Sequence, residues 1–296
     1  MKDIKQIRLL IFGAGVIGSV YTVKFAEAGI DVTLFARNKR LDTLRQNDLQ
    51  YYEKGVIKRI KVKLIDKLEA DDIYDYILVP VRYDQVESAL VALRDNRSKN
   101  IVTMTNISVG YDSWLNIVGD RLLPGFPSAG GDIKDGILHA RFGPKFIQAT
   151  IFGEINGKVT NRVKGLAEIF SFANLPYTIP IDISAFQITH AAMVVGMNKA
   201  FFTDNGIMDQ AAARKIETLR NMVMMTKKYI RLLEKKGIPI TPPKMKLILK
   251  CPDWLIISVF RKLMGTKFMT DTLLGEHAVS AKNEILLLDK DFLKSF

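Results

Sequence analysis

Ile7-Arg8-Leu9-Leu10-Ile11-Phe12-Gly13-Ala14-Gly15-Val16-Ile17-Gly18 is the stretch on which the fold turns. An apolar run of strand length ends in three glycines, and Val16 to Ala28 then follows helical spacing before a second apolar run, Val32 to Phe35. Strand, turn, helix and strand in that order predict a βαβ unit with parallel strands and a right-handed crossover. Each glycine has its own reason to be there. Gly13 permits the tight turn, Gly15 lets backbone approach a pyrophosphate, and Gly18 lets the helix pack closely on the strand. The helix N-terminus faces the anion, so Gly13, Ala14, Gly15, Val16, Ile17 and Gly18 are predicted to hold a dinucleotide's phosphates.

About 20 residues beyond such a turn, an acidic residue usually holds the ribose hydroxyls of NAD. Here the second strand ends in Phe35-Ala36-Arg37-Asn38, with no acid. A guanidinium suits the 2′-phosphate of NADP through paired hydrogen bonds, so Arg37 points to NADPH/NADP.

Working outward, Tyr76 to Val81 and Ile101 to Met104 read as buried strands with a helical pattern from Gln85 to Leu93 between them, continuing the parallel sheet. Gln50 to Tyr52 and Ile57 to Ile65 alternate polar and apolar residues and predict an antiparallel hairpin at the sheet's margin. Between Leu122 and Gly153, glycines and prolines separate short strands, Gly136 to Phe142 and Phe146 to Phe152 among them. The glycine-rich segment from Pro124 to Gly131 reads as a strand connection rather than a lining of backbone amides. A helix from Val159 to Ala173 precedes Pro176 and Pro180, which cannot share one helix. The chain is therefore divided into residues 1–179 and 180–296. The second part reads as helices over Ile183–Thr203, Gln210–Lys236, Pro243–Leu249, Asp253–Met264 and Asp271–Leu293.

The chain has 296 residues and a formal net charge of +12. The basic residues are scattered and lack interleaved aromatics or a known nucleic-acid module, so the charge predicts a basic surface for an anionic cofactor and substrate rather than nucleic acid. One cysteine and three histidines offer no disulfide and no zinc-ligand spacing, so no metal is expected. The charged N-terminus lacks the apolar stretch of a signal peptide, and Trp254 to Phe260 is too short to span a bilayer. A cytoplasmic protein with no membrane partner is expected, and apolar helices such as Trp254 to Phe260 offer an interface for a homodimer.

The glycine turn, Arg37, Val79-Pro80-Val81-Arg82-Tyr83-Asp84-Gln85, Thr105-Asn106, Phe152-Gly153-Glu154, and a final helix with Thr272, Glu276 and Glu284 together resemble the ketopantoate reductase family over nearly the whole chain. The resemblance implies an α/β Rossmann-type N-terminal domain plus an all-α C-terminal domain similar to that of 6-phosphogluconate dehydrogenase. It implies reduction of 2-dehydropantoate to pantoate by NADPH, a step of pantothenate biosynthesis. It also implies that Arg82 and Gln85 reach the cofactor and that Asn106 lies beside the nicotinamide.

The departures fall in the substrate half. The family's stripe of a lysine with asparagines four and eight residues later reads His190, Val194, Asn198 here, and the glycine that commonly follows the strand-end asparagine is Ile107. Ketone reduction places negative charge on oxygen that must be stabilised and protonated. A histidine with an ordinary pKa near 6.5 can do both at neutral pH. Together with Asn106 and Glu284, whose roles the resemblance implies, His190 makes up the expected catalytic set; Asn198, Glu276 of the final helix's polar stripe and, again by the resemblance, Thr272 are expected to bind a small anionic substrate. A reductase with a different substrate, and an NADP(H)-binding sensor without turnover, are the alternatives left by the missing lysine.

Overall fold

A computed structural model describes residues 3–142, 149–204, 206–266, 274 and 276–295. They form two units: residues 1–105 with 111–183, and residues 106–110 with 184–296. In chain order the first unit contains β1 (Arg8–Phe12), α1 (Val16–Glu27), β2 (Asp31–Phe35), α2 (Asn38–Asn47), β3 (Leu49–Glu53), β4 (Val56–Ile60) and β5 (Lys63–Ile65). It continues with β6 (Tyr76–Val79), α3 (Val86–Ala92), β7 (Ile101–Met104), α4 (Asp112–Val118), β8 (Leu122–Phe126), β9 (Ala129–Lys134), β10 (Ile137–Phe142), β11 (Thr150–Phe152), α5 (Asn161–Phe172) and β12 (Tyr177–Thr178).

Eight strands form the main sheet in the order β12-β11-β8-β7-β6-β1-β2-β5. All its pairings are parallel except β11 against β8. β1 lies centrally, with β2 on one side and β6 on the other, so the order of connection reverses at its carboxyl end. Open sheets of this kind bind ligands at such a switch point, and Gly13 begins there.

A second sheet, β4-β3-β10-β9, lies apart from the first. Contacts of α1 with β1 and β2 as well as with β9 and β10 explain why this helix is apolar on most sides. Its Tyr21 and Phe25 pack with Phe170 of α5, and the Tyr21 hydroxyl pairs with Thr150 at 2.7 Å and accepts the Ser128 amide at 3.1 Å. Burial pushes the Tyr21 phenol up to about 12, so it stays protonated and available to bond.

The hairpin expected over Gln50–Tyr52 and Ile57–Ile65 is corrected. Its second arm ends at Ile60, the hairpin belongs to the small sheet, and Lys63–Ile65 instead pairs in parallel with Thr33–Phe35 at the edge of the main sheet. Alternation of polar and apolar residues is the same whichever partner a strand takes, so a change of sheet leaves no mark on it. The Phe146–Phe152 strand begins at Thr150 among the described residues, and positions 143–148 lie outside them. Two glycines of the 124–131 segment serve strand packing. A Cβ on Gly125 would meet the Thr103 carbonyl oxygen at 2.7 Å, and one on Gly131, at φ +146°, would meet that of His139 at 2.2 Å.

The second unit holds α6 (Ile183–Asn198), β13 (Phe202–Thr203), β14 (Gly206–Ile207), α7 (Gln210–Ala213), α8 (Ile216–Lys235), α9 (Leu247–Lys250), α10 (Asp253–Leu263) and α11 (Glu276–Lys294). The expected helix through Thr203 thus ends at Asn198, and a two-stranded hairpin follows. On α8, Leu219, Met222, Val223, Thr226, Ile230 and Leu233 recur at helical spacing and are buried. A Cβ on Gly196 would lie 2.7 Å from the Thr226 Cα, so α6 and α8 cross closely only because that residue is glycine. On α11 the buried face is Ile285, Leu288 and Phe292, whereas Leu286 is 41% exposed. Trp254 is 67% exposed. Among the described residues no helix is long and apolar enough to cross a membrane.

Candidate functional site

The glycine turn has the geometry its sequence requires. Gly13 sits at φ +144°, where a side chain would be strained, and a Cβ there would press on Val81 Cγ1 at 3.2 Å. A Cβ on Gly18 would lie 1.8 Å from the Gly13 carbonyl oxygen, so any larger residue forces the helix off the turn. Gly15 is exposed, and a Cβ there would meet nothing within 4 Å. Helix α1 begins at Val16 with Gly15 as N-cap, no capping side chain and no acid in its first turn. The first N–H groups of a helix lack intrahelical acceptors and carry the positive end of its dipole. This is a cradle an anion fits, formed where β1 meets β6.

At the end of β2, Arg37 is exposed, with its guanidinium carbon 6.0 Å from the Phe35 ring centre. Phe35 in turn stacks on Phe12 at 4.2 Å, which fixes the strand ends flanking the turn. Arg82, expected to reach the cofactor, pairs instead with its neighbour Asp84 at 3.0–3.1 Å and is largely exposed. Two positions apart on an exposed turn, that pair is weak and can be exchanged for another anion. Gln85 is exposed at the start of α3, and its carbonyl accepts the Ser88 hydroxyl at 2.8 Å.

The helical unit brings together two of the expected catalytic residues. Asn106 donates through Nδ2 to Glu284 Oε1 of α11 at 3.4 Å, across 178 positions of sequence. Its Oδ1 is buried without a hydrogen-bond partner. A buried acceptor left open costs free energy, and such groups call for a reason outside packing. Ile107, where the family has glycine, is a core residue at 1% exposure.

On α6, His190 is partly buried and lies parallel to Phe186, with ring centres 6.3 Å apart. Burial lowers its pKa to about 4, so the imidazole is neutral at pH 7. The expectation of a histidine titrating near 6.5 as a cationic acid is corrected by this desolvation. Asn198 donates from its amide to the Val194 carbonyl one turn back at 2.8 Å. Thr272 lies outside the described residues. Glu276 opens α11, and its side chain is outside them as well.

Three clusters escaped sequence reading. Arg40 donates to the Ala14 carbonyl from one turn into α2. Glu154, part of the Phe152-Gly153-Glu154 motif, is buried and receives Arg162 through both carboxylate oxygens at 2.6–2.7 Å and Thr160 at 2.5 Å. Burial alone raises its carboxyl, but the bonds from Arg162 and Thr160 and the Arg162 charge outweigh this and hold it below the usual carboxylate range. Arg162 also donates to the Asp120 and Leu122 carbonyls, so this motif closes the α/β unit. In the helical unit, buried Asp289 on α11 accepts from both Lys199 and Tyr229. Arginines at helix starts and an acid on a helix face carry no spacing signal that separates them from solvated charge.

An open glycine turn at the switch point of a mostly parallel sheet and a separate α-helical unit define the architecture. Residues 9–130 match, and are homologous to, the family described as Ketopantoate reductase PanE/ApbA. A 2-dehydropantoate 2-reductase of Archaeoglobus fulgidus is 25% identical over 189 residues, which are 63% of this chain and 60% of that protein. The match thus spans about three-fifths of the curated relative's length. Among solved structures, 2-dehydropantoate 2-reductase from Porphyromonas gingivalis superposes with a TM-score of 0.67 at 16% identity, covering 97% of this chain and 99% of the other. D-mandelate dehydrogenase in ternary complex with NADH and anilino(oxo)acetate superposes with 0.66 at 14% identity, again covering 97% and 99%. At these identities the superpositions establish the fold alone.

Proposed function

We propose that this chain reduces a 2-oxo acid or related ketone with NADPH, 2-dehydropantoate being the first substrate to test. The observation that carries the reading is the open, uncapped glycine turn at the β1/β6 switch point with Arg37 exposed at the end of β2. Homology to the ketopantoate reductases supports it. The related D-mandelate dehydrogenase holds NADH, so the choice between cofactors rests on this chain's own residues. Arg37, with no acid beside it, favours the 2′-phosphate. Residues 1–179 hold the cofactor through the turn, Arg37, Arg82 and Gln85. Residues 180–296, of the 6-phosphogluconate dehydrogenase C-terminal type, hold the substrate and pair two copies of the chain.

When bound, the reduced nicotinamide supplies hydride to the ketone carbon. The protein's task is to orient the ketone and to manage the charge that builds on its oxygen. His190, neutral above about pH 4, serves as an uncharged N–H donor to that oxygen. Asn106, with Oδ1 open and Nδ2 on Glu284, orients the substrate, and Glu284 holds its hydroxyl and passes a proton drawn from solvent to the ketone oxygen as the hydride arrives on carbon. Asn198 and, on the resemblance, Thr272 and Glu276 complete the binding of the anionic substrate.

The test is loss of reduced-nicotinamide absorbance with a panel of 2-oxo acids that includes 2-dehydropantoate. Ketone-dependent oxidation is expected, and His190→Phe, which removes the N–H donor, should abolish it while leaving NADPH affinity intact. An unchanged turnover number in that variant removes the histidine from the mechanism. The second reading, a sensor that binds NADP(H) without turnover, is favoured by the histidine at the family's lysine position. Stoichiometric NADPH binding with no oxidation across the panel would establish it.

A further inference from the structure

Arg40 stands on α2 only three residues beyond Arg37, yet it points into the protein. Its three nitrogens all meet neutral acceptors: Nε donates to the Ala14 carbonyl at 3.2 Å, Nη2 to Ser19 Oγ at 3.2 Å, and Nη1 to the Gly136 carbonyl at 3.1 Å. Ser19 Oγ also donates to the Ala14 carbonyl at 3.3 Å. Among the described residues no carboxylate pairs with this guanidinium, and burial lowers its pKa from the ordinary arginine value. It stays protonated nonetheless, because a guanidinium does not lose its proton in a protein. An ion partly withdrawn from water without a counter-ion is costly, and a purely structural clamp would not need its charge.

The carbonyl it holds belongs to the peptide that joins Ala14 to Gly15. In a trans peptide the C=O and N–H point in opposite directions. With the Ala14 oxygen drawn to Arg40, the Gly15 N–H is turned to the opposite side, at a residue that is exposed and whose Cβ position is empty. We infer that Arg40 is the positioning residue of the anion-binding turn: it fixes the Gly15 N–H outward and supplies the uncompensated positive charge behind it. Through Gly136, in the turn between β9 and β10, the same side chain ties the small sheet to the turn. The ligand class is the pyrophosphate common to NADPH and NADH, and the inference rests on the dinucleotide reading above.

Arg40→Met and Arg40→Lys are compared with wild type by titration with NADPH and with NADH, and by following the Gly15 amide in 15N–1H spectra of the apoprotein. Arg40→Met should weaken both cofactors in parallel, by about tenfold, because the shared pyrophosphate is what it serves. Arg40→Lys, which keeps the charge without the three-way fork, should recover part of that loss and guards against a variant that fails to fold. The Gly15 amide should shift in both. Unchanged affinities for both cofactors in a folded variant, or a loss confined to NADPH, would overturn the inference. A wild type that binds neither cofactor defeats the dinucleotide reading itself, a result distinct from wild type and Arg40→Met binding both equally well.

Discussion

The glycine turn and the polar residues of the helical unit are built on different principles. In the turn, six consecutive residues supply the site from their own backbone: Gly13 at positive φ, Gly15 left open, Gly18 packed against Gly13. In the helical unit, Asn106 meets Glu284 from 178 positions away, and the state of His190 is set by what covers it. A site made of backbone survives many changes around it. One made of side chains from separate elements depends on each of them.

That contrast can be broken most forcefully at Gly18. Gly18→Val places atoms where a Cβ already falls 1.8 Å from backbone, and should cost about 3–5 kcal/mol of stability, read from urea unfolding. Next comes the buried ion pair that closes the same unit. Arg162→Met strands the Glu154 carboxylate and should cost about 3 kcal/mol, somewhat less than for full burial because Arg162 is 23% exposed. Turnover per folded molecule should not change, which separates this motif from the chemistry.

In the helical unit, Glu284→Gln keeps an acceptor for Asn106 but removes the charge. Its kcat should fall about a hundredfold with NADPH affinity unchanged; an equal loss of affinity would mean that the two regions are not separable in this way. His190 then gives a pH signature. Its folded pKa of about 4 lies below the ordinary 6.5, so the unfolded chain binds more protons between those values. Its contribution is fully present above about pH 6.5 and is lost as pH falls toward 4, by about 1–3 kcal/mol. Melting curves across that window should flatten in His190→Gln. The smallest effect is at Arg37, on the exposed rim of the turn. Arg37→Ala should weaken NADPH about tenfold, leave NADH unchanged, and move stability by less than about 0.5 kcal/mol.

Much of the α/β unit was legible because its central strands are continuous apolar runs and its first helix opens directly on the glycine turn. β1, α1, β2 and β7 fall within a residue of the sequence reading. Lys63–Ile65 departs from the expected hairpin because Ile60-Lys61-Val62-Lys63-Leu64 keeps alternating while the chain changes sheets. On α11 neighbouring leucines fit more than one helical stripe, and only the tertiary structure selects Ile285 and Leu288 for burial and leaves Leu286 exposed. Arg37 and Arg40 sit three residues apart with the same chemistry, and sequence gave reason to notice only the exposed one. The histidine was located in sequence, but its neutrality was not, since a pKa belongs to the surroundings rather than to the residue.

The sequence by itself determined the βαβ start, the glycine turn and the candidate arginine at the second strand's end, because these follow from steric limits and periodicities that act within some thirty residues. Tertiary structure alone decided that Glu284 reaches Asn106, that His190 is uncharged, and that Arg40 holds the turn from behind. Those outcomes depend on burial and on distances between segments far apart in the chain, and neither quantity is a property of local sequence.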